Sequence, residues 1–185
     1  MLPEKFETSI NFKPDGSYTY KYDGTAVNAF VVIEIHENGA LSEKDEAELK
    51  RDAEEAAKTP GIKKMTYTGE GRFNVVIEQD LKPGQVVIEQ DLKPDQPATT
   101  VEIFTVTQGK DGVFVVAVPT IEEKVSDQLR VLGIKVDGKM NVFLPSNAKV
   151  LAHNASGTPG LLSKSYSWHI GALSDQPSIK FTLEP

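Results

Sequence analysis

The stretch VVIEQDLKPGQ, residues 75–85, is followed at once by VVIEQDLKPDQ, residues 86–96, and the two copies differ only at Gly84 and Asp95. How this repeat is placed decides the fold. Read as a hairpin about Pro83-Gly84, it sets Leu81 opposite Val86, Gln79 opposite Ile88, Ile77 opposite Gln90 and Val75 opposite Leu92. Side chains alternate along a strand, so all of these project to one largely apolar face. The other face carries Val76, Glu78 and Asp80 against Asp91, Glu89 and Val87, with Glu78 directly opposite Glu89, a mildly unfavourable pair. The alternative is a recent or engineered insertion. With one copy removed the text reads GRFNVVIEQDLKPDQPATTVEIFTV, already a strand, a loop and a strand. A structureless insert would leave a loop of about 20 residues, which is uncommon in compact domains. Identical strands also specify register weakly and invite exchange between molecules, so a strand-exchanged dimer stands beside the monomer. An added or extended hairpin over residues 75–96 is the expectation.

Working outward, Phe6 to Phe12 and Ser17 to Tyr22 alternate around Lys13-Pro14-Asp15-Gly16, a hairpin signal. Ala26, Ala29, Phe30 and Ile33 recur at helical spacing, with Thr25 as the expected N-cap and Asn38-Gly39 as the stop. The β-branched run Val31, Val32, Ile33 and Ile35 leaves helix and strand competing there. Ser42-Glu43-Lys44-Asp45 opens a second, highly charged helix that reaches about Lys58 before Pro60-Gly61. Strands are expected over Lys64 to Thr68, Arg72 to Leu81, Val86 to Leu92, Thr100 to Thr107 and Val113 to Val118. Thr120-Ile121-Glu122-Glu123 caps a third helix carrying Val125, Leu129 and Leu132 and stopping at Gly133. The tail returns to strands at Lys139 to Leu144, Ala148 to His153, Ser165 to Ile170 and Ser178 to Leu183. Few strands are separated by helices, so the sequence predicts one α+β domain over residues 1–185. Its sheet is mostly antiparallel, with about three helices and a β-rich part over residues 139–185.

Composition narrows the function. A chain of 185 residues, 39% hydrophobic and 25% charged, suits a folded domain with a real core. A net charge of −7 and the lack of a basic stripe argue against nucleic acid and against adhesion to anionic lipid. Without cysteine there is no disulfide, thiolate nucleophile or Cys-ligated zinc. No apolar run reaches the roughly 18 residues a membrane span needs. No signal peptide is read ahead of Met1, so the chain is expected to be cytosolic or a mature segment given a new start codon.

The chemical motifs are mostly negative. His36, His153 and His169 share no ligand spacing, so no metal, cofactor or catalytic set is assigned. His36 reads as a helix-end residue, and Gly69-Glu70-Gly71 as a tight turn without the following helix a phosphate cradle needs. Glu122-Glu123 and Asp45-Glu46 fall in first helical turns, where they complement the dipole. Tyr166-Ser167-Trp168-His169 stands out. Tyr166 and Trp168 share one face of a strand, and the sole tryptophan reads either as core or as the aromatic wall of a ligand cavity. His153 ends a strand before a Gly- and Ser-containing loop, as a turn residue or a third ligand contact. Tyr166, Trp168 and His153 are the candidate ligand-binding residues.

The start, Leu2-Pro3-Glu4-Lys5-Phe6 with KPDGSYTYKYDGT soon after, resembles mature bacterial envelope lipoproteins just downstream of the lipidated cysteine. The tail KVDGKMNVFLPSNAKVLAHNASG…YSWHIG…PSIKFTLEP is similar to the C-terminal part of the LppM-like lipoprotein domain. There a DG strand, a proline-bounded strand, an NA turn and a tryptophan strand recur. The resemblance covers the N-terminal hairpin and the tail from Lys135. It implies a non-enzymatic, membrane-tethered protein of the periplasm or the outer face of the membrane, binding a lipid, another apolar molecule or an envelope partner. Two departures stand against it: no cysteine is present for anchoring, and the eleven-residue repeat is foreign to the family pattern. Three classes stay open: an envelope binding module, an enzyme whose carboxylates and histidines converge only in space, and a scaffold that self-associates through the repeat.

Overall fold

In the computed structural model the described residues are 1–84, 103–119, 123–161 and 163–184. They form ten strands and three helices in an α+β arrangement. The strands are β1 (Leu2–Phe12), β2 (Tyr18–Val27), β3 (Ile62–Gly69), β4 (Arg72–Leu81), β5 (Thr105–Gln108), β6 (Phe114–Ala117), β7 (Asp137–Phe143), β8 (Ala148–His153), β9 (Ser165–Ile170) and β10 (Ser178–Leu183). The helices are α1 (Ala29–Asn38), α2 (Glu43–Ala56) and α3 (Glu123–Val131). One sheet runs β3-β4-β2-β1-β7-β9 and the other β5-β6-β10-β8. All pairings are antiparallel except β1 with β7. The C-terminal strands divide between the sheets: β7 and β9 extend the first, β8 and β10 the second.

The two sheets face each other because each puts its apolar side inward. Along β1 the inner face carries Phe6, Ile10 and Phe12, and along β2 it carries Tyr18, Tyr20, Tyr22 and Ala26. Phe12 meets Phe114 of β6 and Phe181 of β10 edge-on, with ring centroids 6.1 and 4.8 Å apart, and Tyr20 meets Phe104 at 4.9 Å. Such pairs add specificity to the burial of area. Burial holds all three β2 tyrosines above the ordinary phenol range, Tyr18 at about 12. The predicted turn forms at residues 13–16: the N–H of Lys13 donates to the Ser17 carbonyl at 2.8 Å, and the N–H of Gly16 to the Lys13 carbonyl at 3.0 Å. Helix α2 is capped by Ser42, whose side chain accepts from the N–H of Asp45, and it buries only Ala53 and Ala56.

The first copy of the repeat is an interior strand, which corrects the predicted register. Residue 75 of β4 lies between Gly24 of β2 and Met65 of β3, and Ile77 between Tyr22 and Ile62. Both edges are therefore taken at the places where Leu92 and Gln90 were expected to pair. The predicted alternation holds: Val75, Ile77 and Leu81 are buried, and Glu78 and Asp80 are exposed. The second copy beyond Gly84, with the strand expected over Val86 to Leu92, lies outside the described residues, as do Thr100 and Thr120-Ile121-Glu122. A second correction concerns α1. Thr25 belongs to β2, and the N-cap is Asn28, whose side chain accepts from the N–H of Phe30 at 3.1 Å. Strand pairing with Asn74 continues through Thr25, so the chain leaves the sheet only after Val27. The strand predicted from Thr100 begins at Thr105, with Ile103 and Phe104 buried in irregular backbone ahead of it.

Candidate ligand groove between the first and third helices

Helix α1 is apolar over most of its length, and the sheet does not cover it. Its one buried side chain is Val32. Val31 packs on the β3–β4 turn, where a Cβ added at Gly71 would come within 2.9 Å of it, so this close approach requires glycine. The backbone fixes the same contact, because the N–H of Asn28 donates to the Gly71 carbonyl at 2.8 Å. The N–H of Gly39 closes the far end on the Ile35 carbonyl at 2.9 Å.

Helix α3 ends in a Schellman motif. The N–H of Ile134 donates to the Leu129 carbonyl and that of Gly133 to the Arg130 carbonyl, both at 3.0 Å, with Gly133 left-handed at φ 81°. Leu129 and Ile134 then pack together with Val27 and Val32 in a small second core, against which Leu2, Ala29, Leu132 and Leu173 lie half-buried. This core fastens α1 and α3 side by side.

Above it runs a groove of about 470 Å³. Ile33, His36 and Glu37 line it from α1, and Val125, Gln128, Leu129, Val131 and Leu132 line it from α3. Its apolar lining is Ile33, Val125, Leu129, Val131 and Leu132, and its polar lining is His36, Glu37 and Gln128. The volume falls within the range of small-molecule sites. Phe30, one turn before Ile33, is 83% exposed, and Val131 is 81% exposed. A second depression of about 350 Å³ lies on the outer face of the larger sheet. Within it Lys21 pairs with Glu78 at 3.0 Å, and Asn141 donates to Glu7 at 3.5 Å.

The residues singled out in the sequence lie elsewhere, at the side of the molecule where β8 and β9 are both edge strands. His153 and Tyr166 meet there, their rings 4.9 Å apart and steeply inclined. Trp168 is 5% exposed and built into the core, its indole N–H donating to Asn154 Oδ1 at 2.8 Å. The third histidine, His169, sits 3.0 Å from Asp137 on the exposed face. Among the described residues no three His, Asp or Glu side chains cluster so as to hold a metal ion. Among them too, no helix is long and apolar enough to cross a membrane. The sequence named Phe30 and Ile33 of α1 and Val125, Leu129 and Leu132 at α3 but not Val131, and nothing in either segment revealed that α1 and α3 would be neighbours.

No family model and no curated relative matches the chain. Among solved structures it is similar to the folded domain of the Mycobacterium tuberculosis LppM protein, determined by NMR, at 13% identity and a TM-score of 0.43. The match covers 100% of this chain and 94% of that one.

Proposed function

We propose that the chain is a non-catalytic binding module of the bacterial cell envelope, and that the groove between α1 and α3 holds an apolar molecule with one polar end. The supporting observation is the groove itself: a mostly apolar lining, polar side chains at His36 and Glu37, and Phe30 and Val131 standing in solvent beside it. Covering each of those two side chains is worth about 1.5–3 kcal/mol, a contribution that adds to burial of the ligand against the groove floor. An acyl chain would lie along the floor with its head group at the histidine end.

The test is native mass spectrometry of the gently purified protein, followed by titration with a fluorescent twelve-carbon fatty acid. Phe30→Ser with Val131→Ser should weaken binding at least tenfold and leave the melting temperature nearly unchanged, since both residues are exposed. A second reading rests on the paired rings of His153 and Tyr166 and makes that open side, with Trp168 behind it, the ligand contact. Tyr166→Ser separates the two. If it abolishes binding while the groove variant does not, the groove proposal is wrong.

A further inference from the structure

We propose that the β4 position in the larger sheet accepts either copy of the repeat, and that Arg72, Phe73 and Gly84 are the residues that select the first. The cradle formed by β2 and β3 reads residues 75–81. Inward it receives Val75, Ile77 and Leu81. Outward, Lys21 pairs with Glu78 at 3.0 Å, Thr19 donates to Asp80 at 2.6 Å, and Lys13 pairs with Asp80 at 3.0 Å. Each of these side chains recurs eleven positions later, at Val86, Ile88, Leu92, Glu89 and Asp91. The cradle itself therefore cannot tell the copies apart.

The flanks can. With the second copy in the cradle, Pro83, Gly84 and Gln85 would stand where Arg72, Phe73 and Asn74 stand now. The two-point pairing of Arg72 with Glu4, at 3.0 and 3.2 Å, would go. So would the buried ring of Phe73, which packs 5.2 Å from Tyr67. Proline would bring no N–H to the place where Arg72 pairs with Val27. Downstream, Asp95 would replace Gly84, which is left-handed at φ 79° and donates its N–H to the Val106 carbonyl at 3.0 Å. All of these differences favour the first copy. Against them, the change of register only moves eleven residues from the connection after β4 into the β3–β4 turn, at a closure cost that grows slowly with length. The first copy is the resident strand and the second a reserve strand that takes over when the first is damaged.

The chain has no cysteine, so an introduced pair reports occupancy cleanly. Ile77→Asp disables the first copy at a buried position, Ile88→Asp the second, and the double variant both. Ile77→Asp alone should melt cooperatively with a lowered midpoint, Ile88→Asp should melt as the parent does, and the double variant should show no cooperative transition. In the Ile77→Asp background, Lys21→Cys should crosslink to Glu89→Cys, whereas in the parent it should crosslink to Glu78→Cys. An Ile77→Asp chain as unfolded as the double variant overturns the proposal. So does a folded one in which the thiol at position 21 crosslinks to position 78 and not to position 89.

Discussion

Asn154→Ala tests how the two sheets are joined at their β8–β9 side. One exposed side chain serves three strands there. Asn154 Oδ1 accepts from the Trp168 indole N–H of β9 and from the Ser178 N–H of β10, both at 2.8 Å, and its Nδ2 donates to the Gln176 carbonyl at 2.7 Å. Truncation leaves the indole N–H of a residue only 5% exposed without its acceptor, a loss of about 1–3 kcal/mol. The groups of Ser178 and Gln176 lie at an exposed site where water replaces the amide, so they add about 0.5 kcal/mol each at most. The expected destabilisation is about 1–4 kcal/mol, dominated by one orphaned donor. Urea unfolding reads it directly, because the sole tryptophan is the fluorophore at the altered site, with far-ultraviolet circular dichroism as the independent probe. Trp168→Phe removes the donor and keeps most of the ring. If the reasoning holds, Asn154→Ala costs at least about 1 kcal/mol less in that background than in the parent. An Asn154→Ala effect below about 0.5 kcal/mol, or strict additivity with Trp168→Phe, would refute it.

Arg72→Met should cost about 1–3 kcal/mol, below the range for fully buried pairs because the Arg72 side chain is 29% exposed, and Glu4→Gln added to it should recover part of the loss by removing the stranded charge. Alkaline unfolding should follow the β2 tyrosines, which bind protons in the folded state at pH values where the unfolded chain has released them. Stability from this source is therefore full below pH 10 and is lost as pH rises through the folded value of Tyr18 near 12; absorbance at 295 nm and circular dichroism should change together, and early, separate ionisation of three tyrosines would contradict the burial. The two chain ends lie at opposite ends of β1: Leu2 packs beneath the groove, while Glu184 bonds Asn147, which reaches the Pro14 carbonyl. Ten strand steps separate those ends by about 33 Å. An environment-sensitive dye on Phe30→Cys should thus shift to the blue when the protein is tethered to neutral vesicles through its N-terminus and not through its C-terminus.

Much of the sheet framework was legible because alternation survives wherever one face is buried. The last three strands end at the residues the alternation marks, and the fold class follows from the order of the elements. The repeat could be read for its faces and not for its partners. Alternation within VVIEQDL says which side chains point inward, but the identity of the neighbouring strands depends on residues outside it, on Tyr18 to Val27 and Ile62 to Gly69, which pair with it at long range. The repeat carries one internal mark of which copy is the strand, Gly84 where the second copy has Asp95. The other marks are Arg72 and Phe73, just upstream, and their meaning appears only once Glu4 and Tyr67 are seen beside them.

The candidate site was hidden for a related reason, and α1 shows why. The segment AFVVIEIHEN was ambiguous because Ala29, Phe30 and Ile33 recur at helical spacing while the β-branched Val31, Val32, Ile33 and Ile35 suit a strand. The structure resolves the ambiguity without removing the misfit: the segment is a helix with apolar residues on more sides than the fold covers. Helix α2 shows what an ordinary surface helix of this protein looks like, mostly charged, with Leu49, Ala53 and Ala56 as the apolar face on the core. Propensity and solubility both favour that second pattern, so α1 breaks a local rule that its neighbour obeys. Val32 is accounted for by the small core and Val31 by the β3–β4 turn, whereas Phe30 and Ile33 are left facing the groove or solvent. The apolar surplus of α1, set beside a second helix with Val131 equally exposed, is the surface that the proposed ligand would cover.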